Sequence, residues 1–422
     1  MKFVLASYGS RGDIEPCVAL GRELLARGHD VRVAVPPDLV GFAESVGLTA
    51  VAYGPDARAW MDVHRDFWTR LFKNFWKVRG LVNTWRELWA PVNQCWEELS
   101  ATLKPLADGA DLLFTGVVFE GPAANVAEHY DIPLATLHYN PTRANGQFMP
   151  FLPAPLARFV SELGDWFLWR MAKKVDDAQR SDLGLSASTK PPPQRIADRG
   201  SLEIQAYDEV FVPGLAAEWA QFADRRPFVG ALTLELAVDA DEDVSSWIAA
   251  GSPPIYFGFG SMAVGSAADT IAMIAAACAE LGERALVVAG SSDFSVVPHM
   301  ENVKVVTAVN FATVFPACRA VVHHGGAGTT AAGLRAGVPT LVLWTWPEQS
   351  LWGRQLKRLK VGTARRFSTT TKESLVADLR TILAPEYAAR ARQVAPRMTK
   401  PSDSVATAAD LMENFARLGR VG

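Results

Sequence analysis

Cysteine is scarce in this chain: Cys17, Cys95, Cys278 and Cys318 are the four among 422 residues, and no two lie close together. Without a CxxC pair or a Cys/His spacing, neither a zinc site nor a disulfide framework is expected. Long apolar runs are missing too, and no uninterrupted stretch is long enough to span a bilayer. The run Phe3-Val4-Leu5-Ala6 is short and leads into a polar, glycine-rich turn, unlike the longer apolar core and cleavage site of a signal peptide. The expectation is a cytoplasmic protein, with peripheral contact at the inner membrane face left open. Charge of one sign is also lacking: 42 Lys and Arg meet 45 Asp and Glu, for a formal net charge of −3. Nucleic-acid binding draws its affinity from clustered cations, so no nucleic-acid partner is expected.

What is present is apolar residue in quantity, 49% against 21% charged, in a chain too long for one ordinary core. Its pattern is α/β. Phe3 to Ser7 reads as a strand, Gly9 to Asp13 as a turn and Glu15 to Arg27 as an amphipathic helix. Strands at Val31 to Val35, Asp111 to Thr115 and Leu134 to His138 follow, with helices at Leu39 to Val46 and Pro122 to Tyr130. Residues 141 to 200 are rich in proline, and the pattern degrades there. A second series begins at Ile255 to Phe259 and runs through Leu286 to Ala289, Val303 to Thr307, Ala320 to His323 and Thr340 to Leu343. Strands alternating with helices imply parallel β-α-β units, and two such series imply two domains with a ligand cleft between them. The expected division is 1–225, a linker at 226–248, a second domain at 249–402, and a C-terminal helix at 403–422 packing back on the first.

Residues 60 to 100 carry Trp60, Trp68, Trp76, Trp85, Trp89 and Trp96, six of the 13 tryptophans. Trp68, Phe72, Phe75 and Trp76 share one helical stripe, and Trp85, Leu88, Trp89, Val92 and Trp96 another. Such stripes most often pack into a core; the sharper alternative is an aromatic wall for a large apolar ligand, or a membrane-facing patch.

The densest chemistry is His323-His324-Gly325-Gly326-Ala327-Gly328-Thr329-Thr330. A strand precedes it and a helix from Thr329 to Arg335 follows. Glycines let backbone amides approach a ligand, and the helix start favours phosphate through its free N–H groups and dipole. Hydroxyls of Thr329 and Thr330 and the histidines add donors. A plain tight turn would explain one glycine or two, not the whole cluster.

This segment, continued as AAGLRAGVPT, resembles the donor-binding signature of the GT-B glycosyltransferases of family 1. It is most similar to bacterial glycopeptide and glycopeptidolipid enzymes and to sterol glucosyltransferases. Tyr8-Gly9-Ser10-Arg11-Gly12-Asp13-Ile14-Glu15-Pro16 resembles the same group's opening GSRGD-x-x-P, and Glu348-Gln349-Ser350-Leu351-Trp352-Gly353 its (D/E)Q-x-x-W-G. The resemblance implies a GT-B fold, two Rossmann-like doubly wound domains facing across a cleft. It implies no permanent cofactor, a UDP- or dTDP-sugar as co-substrate, and inverting transfer to an apolar lipid, lipopeptide or other natural product. His324 with the amides of Gly326, Gly328 and Thr329 would hold the diphosphate, with Ser261 beside it and Ser10, Arg11 and Gly12 toward the leaving group. Asp13 would be the base, acting alone, because Phe114-Thr115-Gly116 lacks the supporting acid of plant relatives. The other role for Asp13 is N-cap of the following helix. Glu348 and Gln349 would bind sugar hydroxyls, or else lie in water at a helix start. Val309 and Asn310 are the candidates for the base of the nucleotide, and Ala332 stands where plant relatives place a ribose-binding Glu. No Asp-x-Asp pair stands near the signature, so no metal is expected.

Three rivals remain. Gly258-x-Gly260-x-x-Ala263 nominally fits a dinucleotide fingerprint, but neither domain has the acid expected about twenty residues on. A nucleotide-sugar epimerase would not need an acceptor wall or Asp13 in this setting. A non-catalytic partner protein of the same fold would not need Asp13, His324 and Glu348-Gln349 intact.

Overall fold

The computed structural model describes residues 1–57, 78–147, 149, 152–236, 238, 240–260, 266–289, 300 and 302–419, the side chains of 78–91 and 347 excepted. Ser261, Trp60, Trp68, Phe72, Phe75 and Trp76 therefore lie outside the described residues, as do the side chains of Trp85, Leu88 and Trp89.

The chain is α/β and divides into two compact units, each around one six-stranded parallel sheet. Unit 1 holds Met1–Ala206, Gly214–Thr233 and Ser402–Gly422; unit 2 holds Tyr207–Pro213 and Leu234–Pro401. The first sheet contains β1 Lys2–Ala6, β2 Asp30–Val35, β3 Thr49–Ala52, β4 Leu112–Gly116, β5 Leu134–His138 and β6 Leu202–Gln205, in the order β3-β2-β1-β4-β5-β6. The second contains β7 Ile255–Gly258, β8 Ala285–Val288, β9 Val303–Val306, β10 Ala320–His323, β11 Thr340–Trp344 and β12 Gly362–Arg366, in the order β12-β11-β10-β7-β8-β9. Counted from its own first strand, each sheet has the same doubly wound order. Central strands such as LLFTG of β4 and LATLH of β5 are buried along their whole length, because helices cover both faces of a parallel sheet.

The proline-rich stretch is more regular than its composition implies. Pro153 is the N-cap of a helix Ala154–Asp182 with Pro155 in its first turn, and Pro191 precedes a second helix, Pro192–Asp198. These prolines mark helix starts, where a missing N–H costs nothing. Trp96, on the helix Val78–Ala107, is buried and donates from Nε1 to Gln179 Oε1 at 2.7 Å, so this member of the tryptophan set is core. The helix Pro401–Gly419 packs in unit 1, where Arg27 Nη1 lies 2.6 Å from Asp410 Oδ1 and His29 Nε2 lies 3.0 Å from Glu413 Oε1. No helix among the described residues is long and apolar enough to cross a membrane.

Candidate active site

In a doubly wound sheet the strand order reverses beside the first strand, and ligands bind outside the C-terminal ends of the strands at that point. The reversal falls between β1 and β4 in unit 1 and between β7 and β10 in unit 2. The loops that leave β1 and β10 there are the two segments singled out by the sequence.

After β1 the chain turns through Gly9 into the helix Arg11–Ala26. Gly9 has φ +133°, and a Cβ on it would lie 2.5 Å from Asp13 Oδ2, so any side chain would occupy the space of the carboxyl. The N-cap of this helix is Ser10, not Asp13. Asp13 is the third helical residue and closes a capping box: its Oδ2 accepts from Ser10 N–H at 2.7 Å and from Ser10 Oγ at 2.8 Å. Burial raises the Asp13 pKa above the ordinary carboxylate value, against the lowering effect of the bonds from Tyr139 and Ser10. Arg11 is exposed, 3.8 Å from Glu15 and 4.3 Å above the Phe42 ring, and Gly12 is exposed beside it. Pro16, inside the helix, has no N–H to give to the Gly12 carbonyl one turn back.

After β10 the two histidines part company. His323 is fully buried, and its Nδ1 accepts from the Gly325 N–H at 3.0 Å, so it shapes the turn. His324 is half-buried, and burial pushes its pKa down to about 4. A Cβ at Gly260 would lie 2.8 Å from His324 Cε1, and one at Gly326 2.8 Å from His324 Nε2. Gly325 has φ +96°, and a Cβ there would meet Val342 at 2.9 Å and Gln349 at 3.0 Å. Part of the glycine signature thus seats the imidazole and the turn. Gly326 is the N-cap of the helix Ala327–Arg335 with no side chain capping it, so the first-turn amides of Ala327, Gly328 and Thr329 have no intrahelical acceptor. Thr329 is half-buried, whereas Thr330 is buried and gives its hydroxyl to the Gly326 carbonyl at 2.7 Å. Of the two hydroxyls, that of Thr330 is spent on the helix.

Glu348 and Gln349 open the helix Pro347–Leu359 and are half-buried. Gln349 Oε1 accepts from the Thr345 N–H at 2.9 Å and the Trp346 N–H at 3.1 Å, so its oxygen caps the helix. Asn310 is likewise a cap: its Oδ1 accepts from Ala312 N–H at 3.0 Å, and its own N–H donates to Asp241 Oδ1 at 2.9 Å. Val309 has its side chain in the apolar core. Ala332 packs against the same core.

Comparison with known proteins accords with this geometry. Residues 3–97 match the Glycosyltransferase family 28 N-terminal domain, and residues 272–413 match the C-terminal domain of Erythromycin biosynthesis protein CIII-like proteins. A protein of Mycobacterium tuberculosis described as an uncharacterized glycosyltransferase is 60% identical over 100% of both chains. Vancomycin aglycone glucosyltransferase of Amycolatopsis orientalis is 28% identical over 98% of this chain and 97% of its own. Among solved structures, the glycosyltransferase VinC in complex with dTDP superposes with a TM-score of 0.66 at 18% identity, covering 99% of this chain and 100% of that one.

Proposed function

The chain belongs to the GT-B glycosyltransferases, which act on nucleotide sugars, and we propose that it moves a hexose or deoxyhexose from a UDP- or dTDP-sugar, with inversion, to a hydroxyl of a large apolar acceptor. The observation that carries this reading is Asp13, a carboxyl at the reversal point of unit 1, held by Ser10 and raised in pKa by burial. A carboxylate so placed serves as a general base. In the transfer, Asp13 takes the proton of the acceptor hydroxyl while that oxygen bonds to the anomeric carbon. The bond from this carbon to the diphosphate oxygen breaks, and its electron pair leaves on the diphosphate.

The growing charge on the diphosphate is assigned to His324 and the amides of Gly326, Gly328 and Thr329. Fixed donors aimed at charge that develops in the transition state lower the barrier without reorganising. Ser261, Arg11 and Gly12 are assigned to the donor as well, and Ser10 through its hold on Asp13. Glu348 and the Gln349 amide group would bind sugar hydroxyls, and the backbone at Val309 and Asn310 the nucleotide base. Support for dTDP comes from the VinC complex. Support for an apolar acceptor comes from the helix Ala154–Asp182, whose Leu156, Phe159, Val160, Leu163, Trp166 and Phe167 lie on one stripe and are exposed. The same stripe fits an enzyme that meets a lipid or lipopeptide at the inner membrane face. A sterol or other lipid glucosyltransferase is the nearest alternative acceptor class.

Thermal shifts with a panel of UDP- and dTDP-sugars and NAD(H), followed by mass spectrometry of a lipid extract incubated with the stabilising donor, test the reading. The expected product is an acceptor heavier by one sugar, its anomeric configuration inverted. Stabilisation by NAD(H) alone, or conversion of the nucleotide sugar to an epimer with no acceptor consumed, would overturn it.

A further inference from the structure

The rings of Trp344 and Trp346 have no part in the roles above. Both residues are half-buried, at the carboxyl edge of the unit 2 sheet, where a parallel sheet meets its ligand. Trp344 ends β11, the strand paired with β10, whose loop carries the glycines. Adjacent strands are about 4.8 Å apart, so the two strand ends are immediate neighbours. Side chains alternate along β11. Leu341 and Leu343 enter the apolar core, whereas Val342 is the residue that a Cβ at Gly325 would meet at 2.9 Å. Trp344 shares the face of Val342 and stands about 6.6 Å nearer the carboxyl edge. That face is the one turned to the glycine loop.

The segment that bears the two rings is tied to the same loop. Gln349 Oε1 holds the Thr345 and Trp346 N–H groups at 2.9 and 3.1 Å, and the Gln349 N–H donates to the Trp346 carbonyl at 3.1 Å. The Gln349 Cβ in turn lies 3.0 Å from where a Cβ on Gly325 would stand. Arg366 of β12 is the register partner of Trp344, and its guanidinium carbon lies 5.8 Å from the centroid of the Trp344 ring. A cation over an aromatic face helps to keep the ring where it is. Trp352, further along the helix Pro347–Leu359, shows what a purely structural tryptophan looks like here: it is buried, edge-on to Tyr207 and Phe211. Trp344 and Trp346 keep surface open at the edge instead.

We propose that Trp344 and Trp346 seat the sugar ring of the donor: their aromatic faces take the C–H face of the pyranose, while Glu348 and the Gln349 amide take hydroxyls at its rim. The proposal rests on the sugar-transfer reading, with the diphosphate at the glycine loop. The sugar hangs from that diphosphate by a single oxygen, so it lies close to the loop, and β11 is the neighbouring strand that offers aromatic surface there. A pyranose has a polar rim and apolar faces. An aromatic ring covers one face without stripping water from the hydroxyls. The glycine loop then holds what every nucleoside diphosphate shares, and the tryptophans read what the sugar adds.

Trp344→Leu and Trp346→Leu keep apolar bulk and remove the flat face. Calorimetry compares the UDP- or dTDP-sugar that stabilises the wild-type protein most with the nucleoside diphosphate of the same base. Each Leu variant should weaken the Kd for the nucleotide sugar about three- to tenfold, the worth of one aromatic stack. The Kd for UDP or dTDP alone should stay as in the wild type, which a merely structural role would not predict. Trp344→Phe and Trp346→Phe keep a smaller flat face, should fall between, and carry the test where a Leu variant does not fold. Variants that bind both ligands as the wild type does, or that weaken both equally, would overturn the seat and leave the transfer reading standing. A wild-type protein that binds no UDP- or dTDP-sugar would overturn the reading on which the seat rests.

Discussion

The loop after β1 brings a carboxyl to the edge of its sheet, and the loop after β10 brings glycines and a neutral imidazole to the corresponding edge of the other. Both leave the first-strand reversal of a sheet with the same strand order. Both bury their ionisable group, and burial disfavours charge in either. For Asp13 this raises the pKa, so the carboxylate is a better proton acceptor than one in water. For His324 it lowers the pKa to about 4, so near neutral pH the ring offers a dipole and no charge. In the proposed function the anion of the donor is then left to backbone amides and a helix start, which need no counter-charge of their own. In the function proposed above, one topological position serves proton transfer in one unit and anion binding in the other.

The strongest way to break this division is Asp13→Asn, which keeps shape and removes the base. We expect kcat to fall by about 10²–10⁴-fold, with donor Kd measured by calorimetry changing little. A parallel loss of donor affinity would show that the loop after β1 does more than accept a proton. Next comes Gly325→Ala, which strains a residue at φ +96° and pushes a methyl onto Val342 and Gln349. We expect a loss of about 1–3 kcal/mol in stability, and donor binding weakened with it, while any Asp13 titration stays in place. Gly326→Ala should cost less stability but displace His324, since its methyl would meet the ring and not the backbone.

How far these two loops were legible in the sequence follows from the same physics. Strands buried on both faces announce themselves as apolar runs, so β1, β5, β7 and β10 could be read directly. The edge strands β3, β6 and β12 could not, and in β6 Glu203 and Gln205 are polar yet buried within a paired network. Prolines in 141–200 read as breakers although they start helices. The glycine loop was legible as a strand-to-helix turn, but not the work of its parts, because His323 and Thr330 turn inward through contacts set by the turn. Gln349 and Asn310 read as ligand-binding side chains, and each has its oxygen on a helix cap.

The two buried groups also set opposite pH dependences, which sharpens the comparison at moderate cost. A carboxyl with its folded pKa raised contributes stability that is lost as pH rises through that value. A histidine with its folded pKa lowered contributes stability that is present above its ordinary value of 6.5 and lost as pH falls from there toward about 4. Thermal melts of Asp13→Asn and His324→Gln against pH should flatten these two slopes separately. In NMR titration, His324 should move up from about 4 when UDP or dTDP is bound, because a nearby diphosphate favours the imidazolium. A His324 pKa indifferent to both nucleotides would remove it from the diphosphate site.

The smallest expected effect lies at Gln349, where capping and sugar binding share one side chain. Its Oε1 serves the Thr345 and Trp346 amides, so the carboxamide NH2 is the part assigned to the sugar. Gln349→Glu keeps an oxygen for the cap and gives up the NH2 donors. Its Tm should stay within a degree or two, while the Kd for the intact nucleotide sugar weakens a few-fold and that for the nucleoside diphosphate alone does not. Gln349→Leu loses the cap as well, about 1 kcal/mol in stability, and with it some of the packing that holds Gly325. If both variants weaken the nucleoside diphosphate and the nucleotide sugar equally, Gln349 shapes the glycine loop and reads no sugar. Unit 2 would then hold its donor by the phosphates, with Glu348 left as the sugar contact on that helix.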